Sequence, residues 1–275
     1  CSQIAKTYDK MEISDSAIAY FQKSWEINSK DFYSSHRLAT LLFLQEKVDL
    51  ALSVTENYLI SDSVNLPMLR LNGQLYFSAG EYNMSLQRFE KCVVLNDSSD
   101  FTIKHLGYNY YMQENYDTAA VYLEKAFAND TLNADLSYMA GVSNVNGYYP
   151  YKGIDYLHKT MEIITPKPIF VAGIYQMIGR VHADGSAYDK ALIMYRKAYE
   201  FIPKDTLLPF KLARLYDRSN NDKLAKKYYL KFLALRPAKK ENSNANKRLR
   251  LSYFDFATTR LNEIKEKQFW ESQQE

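Results

Sequence analysis

The sequence predicts an all-α chain, a superhelical solenoid of helical hairpins closed by a C-terminal capping helix, and three observations predict it. Small residues recur at Ala5, Ala39, Gly73, Gly107, Gly141, Gly179 and Ala213, 34 residues apart except for one interval of 38. A second small series, Ala17, Ala51, Ser85, Ala119, Gly153, Ala191 and Ala225, runs twelve residues behind with the same single insertion. Large residues follow both series at helical offsets: Tyr8, Leu42, Tyr76, Tyr110, Asn144, His182 and Tyr216 three after the first, and Phe21, Thr55, Phe89, Leu123, Leu157, Tyr195 and Tyr229 four after the second. Offsets of three and four place a large and a small side chain on one helical face. Large residues of one helix can then fill the space left by small residues of its neighbour.

Each element follows in turn. Stretches such as Ser78-Ala79-Gly80-Glu81-Tyr82, Gln113-Glu114-Asn115-Tyr116 and Arg218-Ser219-Asn220-Asn221 separate the two halves of a repeat and suit tight helix-helix turns. Between repeats, Asp62-Ser63, Asp97-Ser98, Asp130-Thr131 and Asp205-Thr206 offer side-chain oxygens to cap the next helix. The insertion falls in Thr165-Pro166-Lys167-Pro168, where two prolines are expected to deny helix and stiffen the junction. A polar linker from Ala238 to Asn244 precedes a long amphipathic pattern with Leu249, Tyr253, Phe256, Leu261, Ile264 and Phe269 on one face. That pattern predicts a helix covering the last apolar surface of the stack.

This arrangement resembles the tetratricopeptide-repeat (TPR) family, whose repeat holds small residues at slots 8, 20 and 27, aromatics near slots 4, 11 and 24, and proline at slot 32. The sixth repeat matches best, with Tyr175, Ile178-Gly179, His182, Ala191, Tyr195, Ala198 and Pro203; the seventh reads Leu212-Ala213, Tyr216, Ala225, Tyr229 and Pro237. Slot 27 departs at Tyr58 and Phe232, and slot 32 is Ser, Asp or Thr in the first five repeats. The resemblance implies a right-handed superhelix of seven repeats over 1–237, at 1–31, 32–65, 66–99, 100–133, 134–171 with the insertion, 172–205 and 206–237, with linker and capping helix in 238–275. It also implies a scaffold that binds a protein or peptide without catalysis.

Composition narrows the classes further. Of the residues, 47% are apolar and 15% aromatic, against only 9 Gly and 7 Pro, which disfavours disorder. The net charge of +3 comes from mixed signs along the chain, so nucleic acid is not an expected partner. No apolar run approaches the ~20 residues of a membrane helix. No phosphate-binding glycine loop or nucleophile motif occurs, and the four histidines fall in different repeats, so no catalytic residue, cofactor or metal is assigned. Cys92, in small slot 27, reads as a packing thiol, and His182 as a packing residue.

The resemblance further implies that the first helix of each repeat lines a concave groove through slots 2, 5, 9 and 12. Those slots hold His36, Thr40 and Phe43; Arg70, Gln74 and Phe77; Phe101, Lys104, Tyr108 and Tyr111; Tyr138; Gln176 and Arg180; and Phe210 and Arg214. Aromatics interrupted by cations suit an extended peptide that offers apolar side chains and a carboxylate or acidic residue. The alternative is that these side chains pack between repeats. The carboxylate clamp of chaperone-binding TPR proteins is not reproduced, because Lys104 is followed by Tyr108 and no slot 9 carries Asn.

A chain beginning Cys1-Ser2 resembles a mature bacterial lipoprotein, whose first cysteine is acylated; a chain cut at that residue would look the same. Cytoplasmic and envelope locations therefore both stay open, as does oligomeric state. Rival functions are a regulatory or sensor module of a larger protein, or an envelope lipoprotein acting in assembly or secretion.

Overall fold

Helix forms where the period places an apolar stripe, and inside most hairpins a left-handed residue turns the chain between the two helices. The computed structural model describes residues 1–164, 167–235 and 245–273, and among these the chain is all-α, with no strand. The chain divides into two compact units, Cys1–Tyr149 and Pro150–Glu275. The first holds α1 (Ser2–Lys10), α2 (Ser14–Ile27), α3 (Phe32–Leu44), α4 (Val48–Ser61), α5 (Leu66–Ser78), α6 (Tyr82–Val94), α7 (Asp100–Met112), α8 (Tyr116–Asn129) and α9 (Ala134–Asn146). The second holds α10 (Pro150–Ile163), α11 (Pro168–Asp184), α12 (Tyr188–Phe201), α13 (Leu208–Arg218), α14 (Asp222–Leu233) and α15 (Ala245–Ser272). Within each unit, consecutive helices pair as hairpins and each hairpin packs on the next.

The turns inside the hairpins are chemically alike. Glu12, Glu46, Gly80, Glu114, Ser186 and Asn220 all adopt positive φ, between 56° and 80°, at the same slot of their repeats. In each turn the following amide donates back to a carbonyl five residues earlier, from Ile13 to Tyr8, Lys47 to Leu42, Glu81 to Tyr76, Asn115 to Tyr110, Ala187 to His182 and Asn221 to Tyr216, at 2.8–3.0 Å. This is the Schellman closure, which satisfies the orphan carbonyls at a helix end. Only Gly80 takes the left-handed conformation without a Cβ penalty; the glutamates and the others bear it.

The small residues are close-contact points, as their spacing predicts. A Cβ built on Gly73 would lie 2.8 Å from Phe89, one on Gly107 2.8 Å from Leu123, and one on Gly179 3.2 Å from Tyr195. Phe89, Leu123 and Tyr195 are the large residues four places after the second small series, so each of these three hairpins locks a large side chain of its second helix over a glycine of its first. A second ring pairing recurs beside it: Tyr8 stacks on Tyr20 at 5.4 Å, Tyr110 on Tyr122 at 5.7 Å and Tyr216 on Tyr228 at 5.4 Å.

Three expectations need correction. The helix caps are not the Asp-Ser and Asp-Thr pairs but mostly the residues just beyond them: Asp31, Asn65, Ser99 and Asn133, 34 apart, accept the third amide of α3, α5, α7 and α9. The aspartates instead brace the loop, Asp97 accepting from Ser99 and Thr102, and Asp62 and Asp130 from the side chains of Asn65 and Asn133. Asp205 does cap, accepting from the backbone amides of Leu207 and of Leu208, the first residue of α13. Secondly, Pro168 does not interrupt helix; it is the first residue of α11, where a missing amide costs nothing. The insertion thus adds a turn, giving α11 17 residues where α9 has 13. Thr165, Pro166 and the linker 238–244 lie outside the described residues.

Thirdly, α15 caps the stack through Leu261 and Ile264 as expected, but Phe254 and Ala257 take the places expected of Phe256 and Phe269. Phe254, Ala257, Leu261 and Ile264 are buried against α13 and α14, whereas Phe256 is 46% and Phe269 57% exposed. Phe254 stacks at 4.4 Å on Phe232, so the large residue at slot 27 of the last repeat is what the capping helix covers. Arg260 fixes the register by a two-point ion pair with Asp217 at 2.8 and 2.9 Å.

Cys92 is buried, and burial, with Asp97 nearby, raises its thiol to about 11, in keeping with a packing role. His105 is buried among Phe89, Phe101, Phe77 and Tyr108, with its Nδ1 2.9 Å from the carbonyl of Phe101. Desolvation, helped by Lys104, drives its pKa down to about 4 against the hydrogen bond to Phe101.

These contacts make three predictions. Gly179→Trp forces an indole into Tyr195 and destabilises the fold by about 3 kcal/mol; an unchanged melting temperature would contradict the register. Glu46→Gly and Glu114→Gly relieve left-handed strain and each stabilise by about 0.5–1 kcal/mol, read as a rise in the urea midpoint. His105 titrates at a lower pH folded than unfolded, so the unfolded chain binds the extra proton and stability declines as pH falls from about 6.5 to about 4, by up to about 3 kcal/mol. His105→Phe should flatten that slope; two parallel pH profiles would show that this imidazole is not the source.

Candidate functional site

In the first unit the first helices of successive hairpins carry the aromatic part of the expected groove. Phe77 on α5 meets Tyr108 of α7 at 6.1 Å and Tyr82 of α6 at 5.4 Å. Tyr111 packs edge-on against Tyr116 at 6.1 Å. Burial raises the phenols of Tyr108, Tyr111 and Tyr138, and the proximity of Tyr138 adds to the shift at Tyr111. Phe77, Tyr108, Tyr111, Tyr138 and Lys104 are all half-buried, so they both join adjacent hairpins and show an apolar edge to solvent.

The other two residues expected on this face are occupied elsewhere. His36 is half-buried against Phe32 at 5.3 Å, and burial followed by the charge of Arg37 lowers its pKa. Arg70 is spent inside the fold: its guanidinium grips Asp97 at 2.6 and 2.7 Å, tying α5 to the loop before α7. Burial opposes ionisation of Asp97, yet the bonds from Arg70, Thr102 and Ser99 outweigh it and hold the carboxyl far below the usual range. Arg70 therefore meets a ligand as a neutralised cation, a correction to the sequence expectation. The reason is that slot 32, where the family places proline, here supplies a carboxylate.

The second unit brings its predicted residues into one cavity of about 290 Å³. Arg180 and Asp184 of α11, Tyr195 of α12, Phe210, Lys211, Arg214 and Arg218 of α13 and Tyr253 of α15 line it. Phe210 was expected on the groove surface but is only 5% exposed: it forms the floor, stacked at 4.9 Å beneath Tyr253 and edge-on to Phe256 at 5.9 Å. Sequence reasoning missed that cover because it assigned Tyr253 and Phe256 to the capping face. Gln176 lies beside the cavity and acts as a bridge, accepting from Lys211 Nζ at 2.7 Å and donating to Asp205 at 3.3 Å.

Four cations face this cavity against the single carboxylate of Asp184. Lys211 holds its ammonium 5.6 Å from the Tyr195 ring, and Arg214 lies 5.5 Å over Phe256. Burial lowers the pKa of Lys211, attraction to Asp205 partly restores it, and Arg180 lowers it again. Lys211 and Arg218 were not anticipated, since they fall one place after slots 5 and 12. No signal in the period marks them; the packing of α13 with α11, α12 and α15 around the cavity brings them into its lining. Cys1 is exposed at the start of α1. Among the described residues, no three His, Cys, Asp or Glu side chains gather as a metal site, and no helix is long and apolar enough to cross a membrane.

Comparison with known proteins agrees with this architecture. The family model described as tetratricopeptide repeat matches residues 210–239. Among curated proteins none matches by sequence. Of solved structures, YrrB, a TPR protein with an unusual peptide-binding site, is similar with 22% identity and a TM-score of 0.60, over 68% of this chain and 95% of that one. The C-terminal part of a TPR repeat-containing protein from Cytophaga hutchinsonii aligns at 19% identity and TM-score 0.60, over 87% and 97% of the two chains. MamA aligns at 27% identity and TM-score 0.50, over 61% and 95%. With the family model on the seventh repeat, the 34-residue period along the chain and the interlocked hairpins that it builds, the chain has the tetratricopeptide-repeat fold and carries a recognised tetratricopeptide repeat at 210–239.

Proposed function

We propose that the chain is a non-catalytic scaffold that holds an acidic segment of a partner protein, with seven repeats over 1–237 as its framework. A TPR fold supports protein interaction in general; the acidic character of the partner rests on one observation, the four cations of the second-unit cavity. Arginine forks bind carboxylates in two-point fashion, and apolar walls such as Tyr195 and Tyr253 favour a side chain with carbon bulk. The exposed aromatic edge of the first unit, Phe77, Tyr108, Tyr111 and Tyr138, supports contact with apolar partner residues, with His36 and Lys104 at its margins. The peptide-binding site described for YrrB makes a peptide ligand a natural comparison.

Acylation of Cys1, which would hold the scaffold at an envelope membrane, is a second reading supported by the exposure of that side chain. Metabolic labelling with palmitate that is absent from Cys1→Ala would bear it out, and an unlabelled wild type would remove it.

The main reading is tested by affinity capture from native extract with the wild type and the Arg180→Glu, Arg214→Glu double variant. Both arginines are exposed, so helicity should be unchanged while partner binding weakens by about tenfold or more. Equal capture by the two proteins would take these residues out of the binding surface.

A further inference from the structure

The second-unit cavity carries more positive charge than one carboxylate can offset. Arg180, Lys211, Arg214 and Arg218 line it, and Asp184 is the one acid of the lining. Among the described residues Arg214 and Arg218 have no ion-pair partner, and the face of Arg214 rests on Phe256. Lys211 is set deeper than either, half-buried between Gln176 and the Tyr195 ring, attracted by Asp205 and repelled by Arg180. Elsewhere the chain neutralises partly buried arginines, as at Arg37 with Asp9, Arg70 with Asp97, Arg88 with Glu56 and Arg260 with Asp217. Arg214 and Arg218 therefore present guanidinium donors that no described carboxylate of the fold takes up to a concave, aromatic-walled space, where an entering anion would meet them.

We propose that this cavity receives a dianionic phosphoryl group. A phosphate monoester carries about −1.5 to −2 charges at pH 7 and three acceptor oxygens, matching several cationic donors where a carboxylate offers one charge and two oxygens. Arg214 and Arg218 supply guanidinium forks, Lys211 a point charge on the inner side, and Tyr195 and Tyr253 the walls for the carbon skeleton that bears the phosphoryl. A volume of about 290 Å³ admits one side chain or a free phosphate. The inference rests on the reading of this cavity as the anion-binding part of the scaffold, and specifies its ligand.

Calorimetric titration of the whole chain at about pH 7 and constant ionic strength, with inorganic phosphate, acetate, a tyrosine-phosphorylated pentapeptide and its unphosphorylated twin, tests it. Phosphate should bind about tenfold tighter than acetate, and Lys211→Met and Arg218→Gln should each remove about tenfold of that affinity. Lys211→Met keeps the length that packs on Tyr195, and Arg218 is exposed, so the second variant reads binding even where the first disturbs folding. Phosphopeptide binding tighter than free phosphate identifies a phosphorylated partner segment as the source; equal or weaker binding identifies free phosphate. Phosphate no tighter than acetate, or insensitive to both variants, overturns the inference. Should partner capture still depend on Arg180 and Arg214 in that case, the scaffold reading stands and only the phosphoryl assignment falls.

Discussion

The contact on which the structure depends is the fit of one large side chain over one residue with little or no side chain. At Gly73 and Phe89, and again at Gly107 and Leu123, there is no room for a single added carbon. A contact this close fixes the distance and the rotation between the two helices of a hairpin at once, because interiors packed near crystal density cannot absorb a methyl group without moving their neighbours. Repeating it every 34 residues repeats the same hairpin, and stacked copies bury faces that no hairpin could bury alone. The Schellman turns and the caps at Asp31, Asn65, Ser99 and Asn133 follow from the same spacing, since a fixed helix length fixes where each orphan amide and carbonyl must be satisfied.

Charge is handled differently in the two units. In the first, arginines are drawn into the fold: Arg70 onto Asp97, and Arg88 onto Glu56, which also accepts from Tyr76 and Asn72. These bonds join one hairpin to the next through polar groups, Asp97 standing in the slot where the family places proline. In the second unit the ion pair of Arg260 with Asp217 and that of Lys267 with Asp222 dock α15, while the cations of α13 that face α11 remain outside such pairs. The capping helix therefore does two things. It covers Phe232 and the end of the core, and through Tyr253 it also completes the wall of the basic cavity, while Phe256 lies under Arg214.

Much of the fold was legible in the sequence, because a period is a property of the chain that survives without coordinates. Every residue of both small series is buried, and the large residues at slot 24 sit where the offsets predicted. Less of the site was legible. The slots named Arg180 and Arg214 but also Arg70 and Phe210, and the latter pair are taken up by Asp97 and by Tyr253. Nothing local in the sequence distinguishes an arginine that folds inward from one that faces a cavity, since the choice depends on a partner 27 residues away in one case and on a separate helix in the other.

The sequence by itself determined the class, the helix count per repeat, the turn positions and the identity of the close-contact residues, because hydrophobic period and steric size act over one or two turns of helix. The tertiary structure alone decided which face of α15 is buried, with Phe254 inside and Phe256 outside, and which charged side chains are neutralised. It also decided that Lys211 and Arg218 join Arg180 and Arg214 around one cavity. Those outcomes are set by the mutual orientation of helices far apart in sequence, where packing and long-range electrostatics rather than local propensity determine the lower-energy arrangement.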